Sequence, residues 1–237
     1  MSGSNLQTDS HYGCLGEIIL IAVVLLLITG FHTTGLCAED SDTKVWLEHE
    51  ISYGISDNLS FKLLVNERFY NDISSWEELY IDAGIDYKPF SWLVLGPRYR
   101  HIKANFNSSN EAVENRYHMN VELIAKLEKF TLESRSRYEY RTFETIPTRH
   151  RFLERIRLVV PLFWKINEKR IEAFLSDELN YDLDKDEATH HEMMLGAKLP
   201  FSKAFSLKLY YGHEIKKRNN SWGYHTHIMG ITTIHSF

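Results

Sequence analysis

Two stretches of the chain set charged side chains at every second position. Glu133, Arg135, Arg137, Glu139 and Arg141 share one parity, and Arg149, Arg151, Arg155 and Arg157 share another run of it. On extended backbone, alternate residues lie on one face. The first row is therefore a strip of guanidinium groups relieved by two carboxylates, and the second a strip of guanidinium groups with none. Such strips do electrostatic chemistry. They pair with carboxylates to form a rigid network, or they line a path for anions. Arg98, Arg100 and Arg116 extend the cationic set, and Glu172 and Glu178 extend the acidic one.

Histidine is the other residue type with chemical reach. His225, His227 and His235 fall near the C-terminus, with His190, His191 and His213 before them and serines at Ser206, Ser221 and Ser236. Acyl transfer needs a nucleophile and a base within hydrogen-bond reach, and no Ser-His-Asp order emerges, so no catalytic residue is assigned. His225-Thr-His227 puts two imidazoles on one strand face without an identifiable third ligand, so no metal is expected, and no cofactor. Cys14 and Cys37 both lie in or beside the N-terminal apolar run, which excludes a disulfide framework and a cysteine metal site in the remainder. Lys and Arg total 27 against 32 Asp and Glu, so nothing points to nucleic acid.

The elements that position these side chains are strands. From Lys44 onward apolar and polar residues alternate in segments separated by turn chemistry. Val45, Leu47, Ile51, Tyr53 and Ile55 oppose Trp46, Glu48, Glu50 and Ser52. Leu59, Phe61, Leu63 and Val65 oppose Ser60, Lys62, Asn66 and Arg68. The pattern continues through segments near 79–87, 93–100, 116–127, 130–142, 149–161, 170–180, 189–199, 205–216 and 224–237. Each has the ~9–11 residues that a tilted strand needs to cross a bilayer. Short turns at 57–58, 88–91, 128–129 and 200–204 alternate with longer polar segments at 71–75, 103–115, 143–148, 181–188 and 217–223. Bacterial barrels show this alternation, with the short turns on the periplasmic side. Aromatics near segment ends, among them Tyr87, Trp92, Tyr117, Tyr140 and Trp222, suit interfacial girdles.

The fold expected is therefore an all-β, antiparallel, up-and-down transmembrane barrel over residues 39–237, behind a signal peptide at 1–38. The apolar run Ile18–Ile28 is eleven residues long, short of the roughly 20 that cross a bilayer as a helix and within the length of a signal-peptide core. Residues 1–17 hold no Lys or Arg and include Asp9 and Glu17, which is read as a start further downstream than Met1. An uncleaved anchor is the alternative. Eleven segments are counted, whereas single-chain bacterial barrels have even numbers. Ten to twelve strands are expected, and parity selects twelve, through a missed strand. The other solution is that the first segment does not span. A periplasmic sandwich or lipocalin-like barrel would alternate too, with its apolar face inward.

In a membrane barrel the charged faces must line the lumen, because a cation facing lipid costs about 2–4 kcal/mol near the midplane. The lumen set is Arg98, Arg100, Arg116, Glu133, Arg135, Arg137, Glu139, Arg141, Arg149, Arg151, Arg155, Arg157, Glu172 and Glu178. Glu122, Glu172, Glu178, Glu192 and Glu214 are the carboxylates available to pair with the arginines. The function this suggests is a small porin-like channel for anionic solutes; a closed structural barrel and an outer-membrane acyl hydrolase are the alternatives.

The run Glu133-Ser-Arg135-Ser-Arg137-Tyr-Glu139-Tyr-Arg141, followed by Arg149-His-Arg151-Phe-Leu-Glu-Arg155-Ile-Arg157, resembles the arginine-rich hairpin of the domain-of-unknown-function 2490 family of predicted bacterial outer-membrane proteins. The resemblance extends to Trp46, to Asn66-Glu67-Arg68-Phe69, to Gly84–Tyr87 and to Glu178-Leu-Asn180. It implies a barrel in the outer membrane of a Gram-negative-type cell, with no established activity. The expected partners are outer-membrane lipid and lipopolysaccharide, together with the barrel-assembly machinery through a C-terminal strand ending at Phe237. The barrel itself is expected to be a monomer.

Overall fold

A computed structural model describes residues 41–107, 110–218 and 221–237. The expected signal peptide at 1–38 lies outside the described residues. Eleven strands form one closed barrel. They are β1 (Ser41–Ser56), β2 (Leu59–Tyr70), β3 (Ser75–Phe90), β4 (Leu93–Asn107), β5 (Asn110–Lys126), β6 (Thr131–Phe143), β7 (Arg149–Ile166), β8 (Lys169–Asp182), β9 (Glu187–Pro200), β10 (Phe205–Arg218) and β11 (Ser221–Ser236). Each strand pairs antiparallel with the next in sequence.

Eleven strands lie within the expected range, but twelve is not the number. Among the described residues there is no twelfth strand, and the first segment belongs to the barrel wall. The odd count is accommodated at closure, where β1 and β11 run in the same direction. The Gly54 amide donates to the Phe237 carbonyl (2.9 Å), and the Phe237 amide donates to the Ser52 carbonyl (2.9 Å). One residue bonded to two positions either side of a single partner is the slanted pattern of a parallel ladder. Side chains continue the same offset: Thr232 donates its hydroxyl to Glu48 Oε2 (2.6 Å), and His49 Nδ1 meets Thr233 Oγ1 (2.8 Å).

The strands are longer than the alternation suggested, from 12 to 18 residues. The segments read as long loops at 103–115 and 217–223 are mostly strand and 181–188 is half strand: β4 reaches Asn107, β8 reaches Asp182, and β10 reaches Arg218. Polarity misled the reading there. Polar side chains end a membrane belt but not a β-ladder, and they pair across the extension, as Lys217 does with Glu187.

The outer face carries the apolar side chains. Ile81, Leu123, Leu132, Ile156, Leu209, Met229 and Ile231 are all exposed. Near the short turns the wall is ringed by Phe90, Trp92, Phe163, Trp164, Phe201 and Phe237. Towards the opposite end Tyr99, Tyr117, Tyr140 and His150 pack ring to ring around the wall. Apolar residues outward between two aromatic rings define a transmembrane barrel, and the inward-apolar alternative is excluded by the same side chains. The interior is not purely polar, however. Trp46, Phe174, Tyr210 and Ile228 form one inward cluster, and Tyr80, Ile102 and Ala104 another. Tyr210 pairs with Gly196 on one neighbour and Gly230 on the other. Both glycines are required by close approach, because a Cβ on Gly230 would lie 1.9 Å from the Tyr210 ring.

Candidate functional site: the charged lumen

The hairpin β6–β7 is registered so that Arg141 faces Arg149, Glu139 faces Arg151, Arg135 faces Arg155 and Glu133 faces Arg157. The two arginine rows therefore stand side by side on the inner wall. β4 and β5 add Arg98, Arg100 and Arg116, with Arg100 directly opposite Arg116 and Arg116 opposite Arg141. Cations opposite one another repel, and the structure answers with carboxylates set between them.

Glu139 is the main node. Fully buried, it accepts from Arg151 Nε (3.0 Å) and Nη2 (2.7 Å), with Arg137 at 3.5 Å and Arg116 at 3.9 Å. Glu114 is the second node. It takes a two-pronged contact from Arg141 (2.6 and 2.9 Å) and another from Arg116. Forked contacts of this kind are the strong form of the arginine–carboxylate pair. Asp82, 1% exposed, accepts from Arg100 at 2.6 Å and contacts His118 at 3.0 Å. Asp86 holds Arg98 (2.7 Å), Glu178 holds Arg135, and Glu133 holds Arg157 (3.4 Å). Aromatic faces complete the neutralisation: Arg68 lies over Trp46 at 3.8 Å, and Arg100 over Tyr80 at 4.1 Å.

Most of the expected lumen set thus converges. Arg98, Arg100, Arg116, Glu133, Arg135, Arg137, Arg151, Arg155, Arg157 and Glu178 line one cavity of about 530 Å³. Glu139 and Arg141 sit in the network beside it. Arg149 stands at the first residue of β7, and Glu172 is paired with Lys198 (3.5 Å), with both of those side chains well exposed. Neither Arg149 nor Glu172 lines the cavity.

The pairing differs from that anticipated. Of the five carboxylates picked as partners, only Glu178 pairs with an arginine of the set. The others are Glu114, Asp82 and Asp86, or glutamates on the arginine strands themselves. Asp82 and Asp86 were legible as inward positions of the third segment. Glu114 was hidden because it was assigned to a loop. Arg155 is the exception within the network: it makes no ion pair among the described residues, and its Nε is buried without a hydrogen-bond partner.

The histidines divide by parity. His190 faces the lumen. His191 faces outward and contacts Asp177 (3.0 Å). His213 meets His225 at 3.2 Å, and His227 accepts or shares a proton with the Tyr211 hydroxyl at 2.6 Å, all on the outer wall. The outward serines Ser134 and Ser136 both donate to Glu154, at 2.7 and 2.5 Å. Ser206 and Ser236 lie at the short-turn ends of β10 and β11, away from these imidazoles.

No curated protein matches the chain. Among solved structures, LpxR from Salmonella typhimurium is similar over 73% of this chain and 83% of that one, at 8% identity and a TM-score of 0.46. The translocator domain of the autotransporter NalP from Neisseria meningitidis is similar over 68% of this chain and 70% of that one, at 14% identity and a TM-score of 0.43. The model of the family described as Protein of unknown function (DUF2490) matches residues 43–225, and the chain belongs to that family.

Proposed function

We propose that the protein is a barrel of the outer membrane of a Gram-negative-type cell whose lumen forms a narrow charged chamber that admits small anionic solutes. One observation carries this reading: the cavity of about 530 Å³ is lined by Arg155, a guanidinium in no ion pair among the described residues, between Arg135 and Arg157. A group of that kind is the natural first contact for an incoming anion. The paired arginines around it share carboxylates that hold the wall rigid and neutralise most of its charge, so the passage is narrow and its selectivity modest. The reading is non-catalytic. The outer-wall serines are committed to Glu154 and His191 to Asp177, in separate hydrogen-bonded groups. Lipid and lipopolysaccharide surround a monomer, and the assembly machinery engages the strand that ends at Phe237.

The test is single-channel recording in planar bilayers under a salt gradient, with heat-modifiable gel mobility reporting the folded barrel. Small steps with anion preference are expected, and Arg155→Gln is expected to reduce that preference while leaving mobility unchanged. A folded barrel that never conducts would overturn the channel reading in favour of a closed structural barrel, which the inward cluster of Trp46, Phe174 and Tyr210 would then explain.

A further inference from the structure

We propose that the lumen wall formed by β9 and β10, separated from the arginine rows by β8, holds a divalent transition-metal site made by His190, Glu192 and Glu214. Three glutamates stand in direct register across adjacent strands there: Glu178 on β8 faces Glu192 on β9, which faces Glu214 on β10. Like charges directly opposite one another are destabilising. The outer two have cations. Glu178 holds Arg135, and Glu214 Oε2 has Lys216 at 3.1 Å and Lys44 at 3.6 Å. The middle one does not. Among the described residues Glu192 contacts no lysine or arginine, only His190 at 3.8 Å.

The geometry suits an ion. His190 Nε2 lies 3.2 Å from Glu214 Oε1, and one ligand atom from each of the three residues falls within 4.8 Å of the others. Zinc bonds of 2.0–2.2 Å in tetrahedral arrangement separate ligand atoms by about 3.4 Å; His190 is already near that distance from Glu214 (3.2 Å) and Glu192 (3.8 Å), and rotation of the Glu192 side chain closes the set. Glu214 presents Oε1 to the site while Oε2 keeps its lysines. An imidazole with two carboxylates favours zinc, iron or manganese over calcium or magnesium.

Two further buried oxygens stand in register with these side chains. Asn180, directly opposite His190, is 4% exposed, and its Oδ1 has no hydrogen-bond partner among the described residues. Thr226, directly opposite Glu214, is 0% exposed, and its Oγ1 also has none. Buried polar atoms are nearly always satisfied. Asn180 lines the same cavity as His190, Glu192 and Glu214, so a water bound to an ion held there would satisfy its Oδ1.

The experiment is calorimetric titration of zinc chloride into the chelator-washed, full-length protein purified from membranes in detergent, with the visible spectrum of the cobalt-substituted protein as second readout. One zinc per chain is expected. Glu192→Gln, which removes a like charge and conserves shape, and His190→Gln should each weaken it at least 30-fold and change the cobalt spectrum, with heat-modifiable mobility retained. The outer-wall pair His213 and His225 is the competing chelator, so the double variant His213→Gln/His225→Gln is expected to bind as the parent does. Absence of zinc binding, or binding lost with the outer pair and kept in Glu192→Gln, would overturn the proposal. A barrel that conducts no ions could still bind zinc, so this result stands apart from the channel test.

Discussion

Glu139→Gln removes one negative charge from beneath three guanidinium groups, and the structure says which of them suffers. Arg116 keeps Glu114. Arg137 keeps the Asn120 carbonyl oxygen, to which its Nε donates at 2.6 Å. Among the described residues Arg151 makes its only ion pair with Glu139. The substitution therefore leaves Arg137 on a neutral acceptor and strands Arg151. Breaking a buried pair from one side costs about 3–5 kcal/mol, and because the Arg151 side chain is 18% exposed the lower figure applies. With a denaturant slope of about 2 kcal/mol per molar urea, the unfolding midpoint should fall by roughly 1.5 M. The double variant Glu139→Gln/Arg151→Gln removes the stranded cation as well and should recover most of the loss, giving a coupling energy of about 2 kcal/mol. The assay is reversible urea unfolding in lipid vesicles, followed by tryptophan fluorescence. A loss below about 1 kcal/mol for the single variant, or a double variant at the sum of the two singles, would refute the node: Glu139 would then be one replaceable charge among many.

Gly230→Ala should destabilise the barrel by about 1–3 kcal/mol through overpacking against Tyr210, and Tyr210→Leu in the same chain should relieve it, both read by urea midpoint. Deleting Phe237 removes two seam hydrogen bonds, worth together about 1–3 kcal/mol; heat-modifiable mobility should then be lost at a lower temperature, and an unchanged transition would mean that closure does not depend on the terminal residue. On the outer wall, the triple variant Ser134→Ala/Ser136→Ala/Glu154→Leu should stabilise the barrel by about 1–2 kcal/mol, since a carboxylate facing hydrocarbon is costly. A loss of stability would show that this wall is not in contact with lipid chains.

The sequence revealed the strands and the lumen face because both depend on the same period of two. A charged row on one parity can only face inward once the other parity is apolar, so Arg135, Arg137, Arg151 and Arg157 were legible without a structure. What escaped was anything set by register. The pairing of Arg141 with Glu114 joins residues 27 apart, through a β5 that begins earlier than its polarity implied. The row Glu178, Glu192 and Glu214 needs two independent strand alignments before it exists at all. Inward apolar residues such as Ile102 and Ile228 were equally opaque, since alternation assigns apolar side chains to the lipid by default.

Parity was the one place where a general rule worked against the count, and the closure shows why an odd number can hold. An even barrel closes antiparallel, so its ends return to the same side. Here β1 starts at the long-loop end, β11 finishes at the short-turn end, and the two meet in parallel. A parallel ladder is slightly weaker per residue than an antiparallel one, so the seam is where an eleven-stranded barrel should open first. The structure reinforces that position with side chains. Glu48 accepts from Thr232 and also from Asn66 (2.7 Å) on the opposite neighbour of β1, so one carboxylate ties three strands together across the junction. Trp46, two residues along, packs edge-on against Tyr210 (6.5 Å) from β10, which reaches past β11 through the space left by Gly230. The glycine, the tyrosine and the glutamate thus act on the same joint, and the inward aromatic cluster is the clamp that an odd strand number requires.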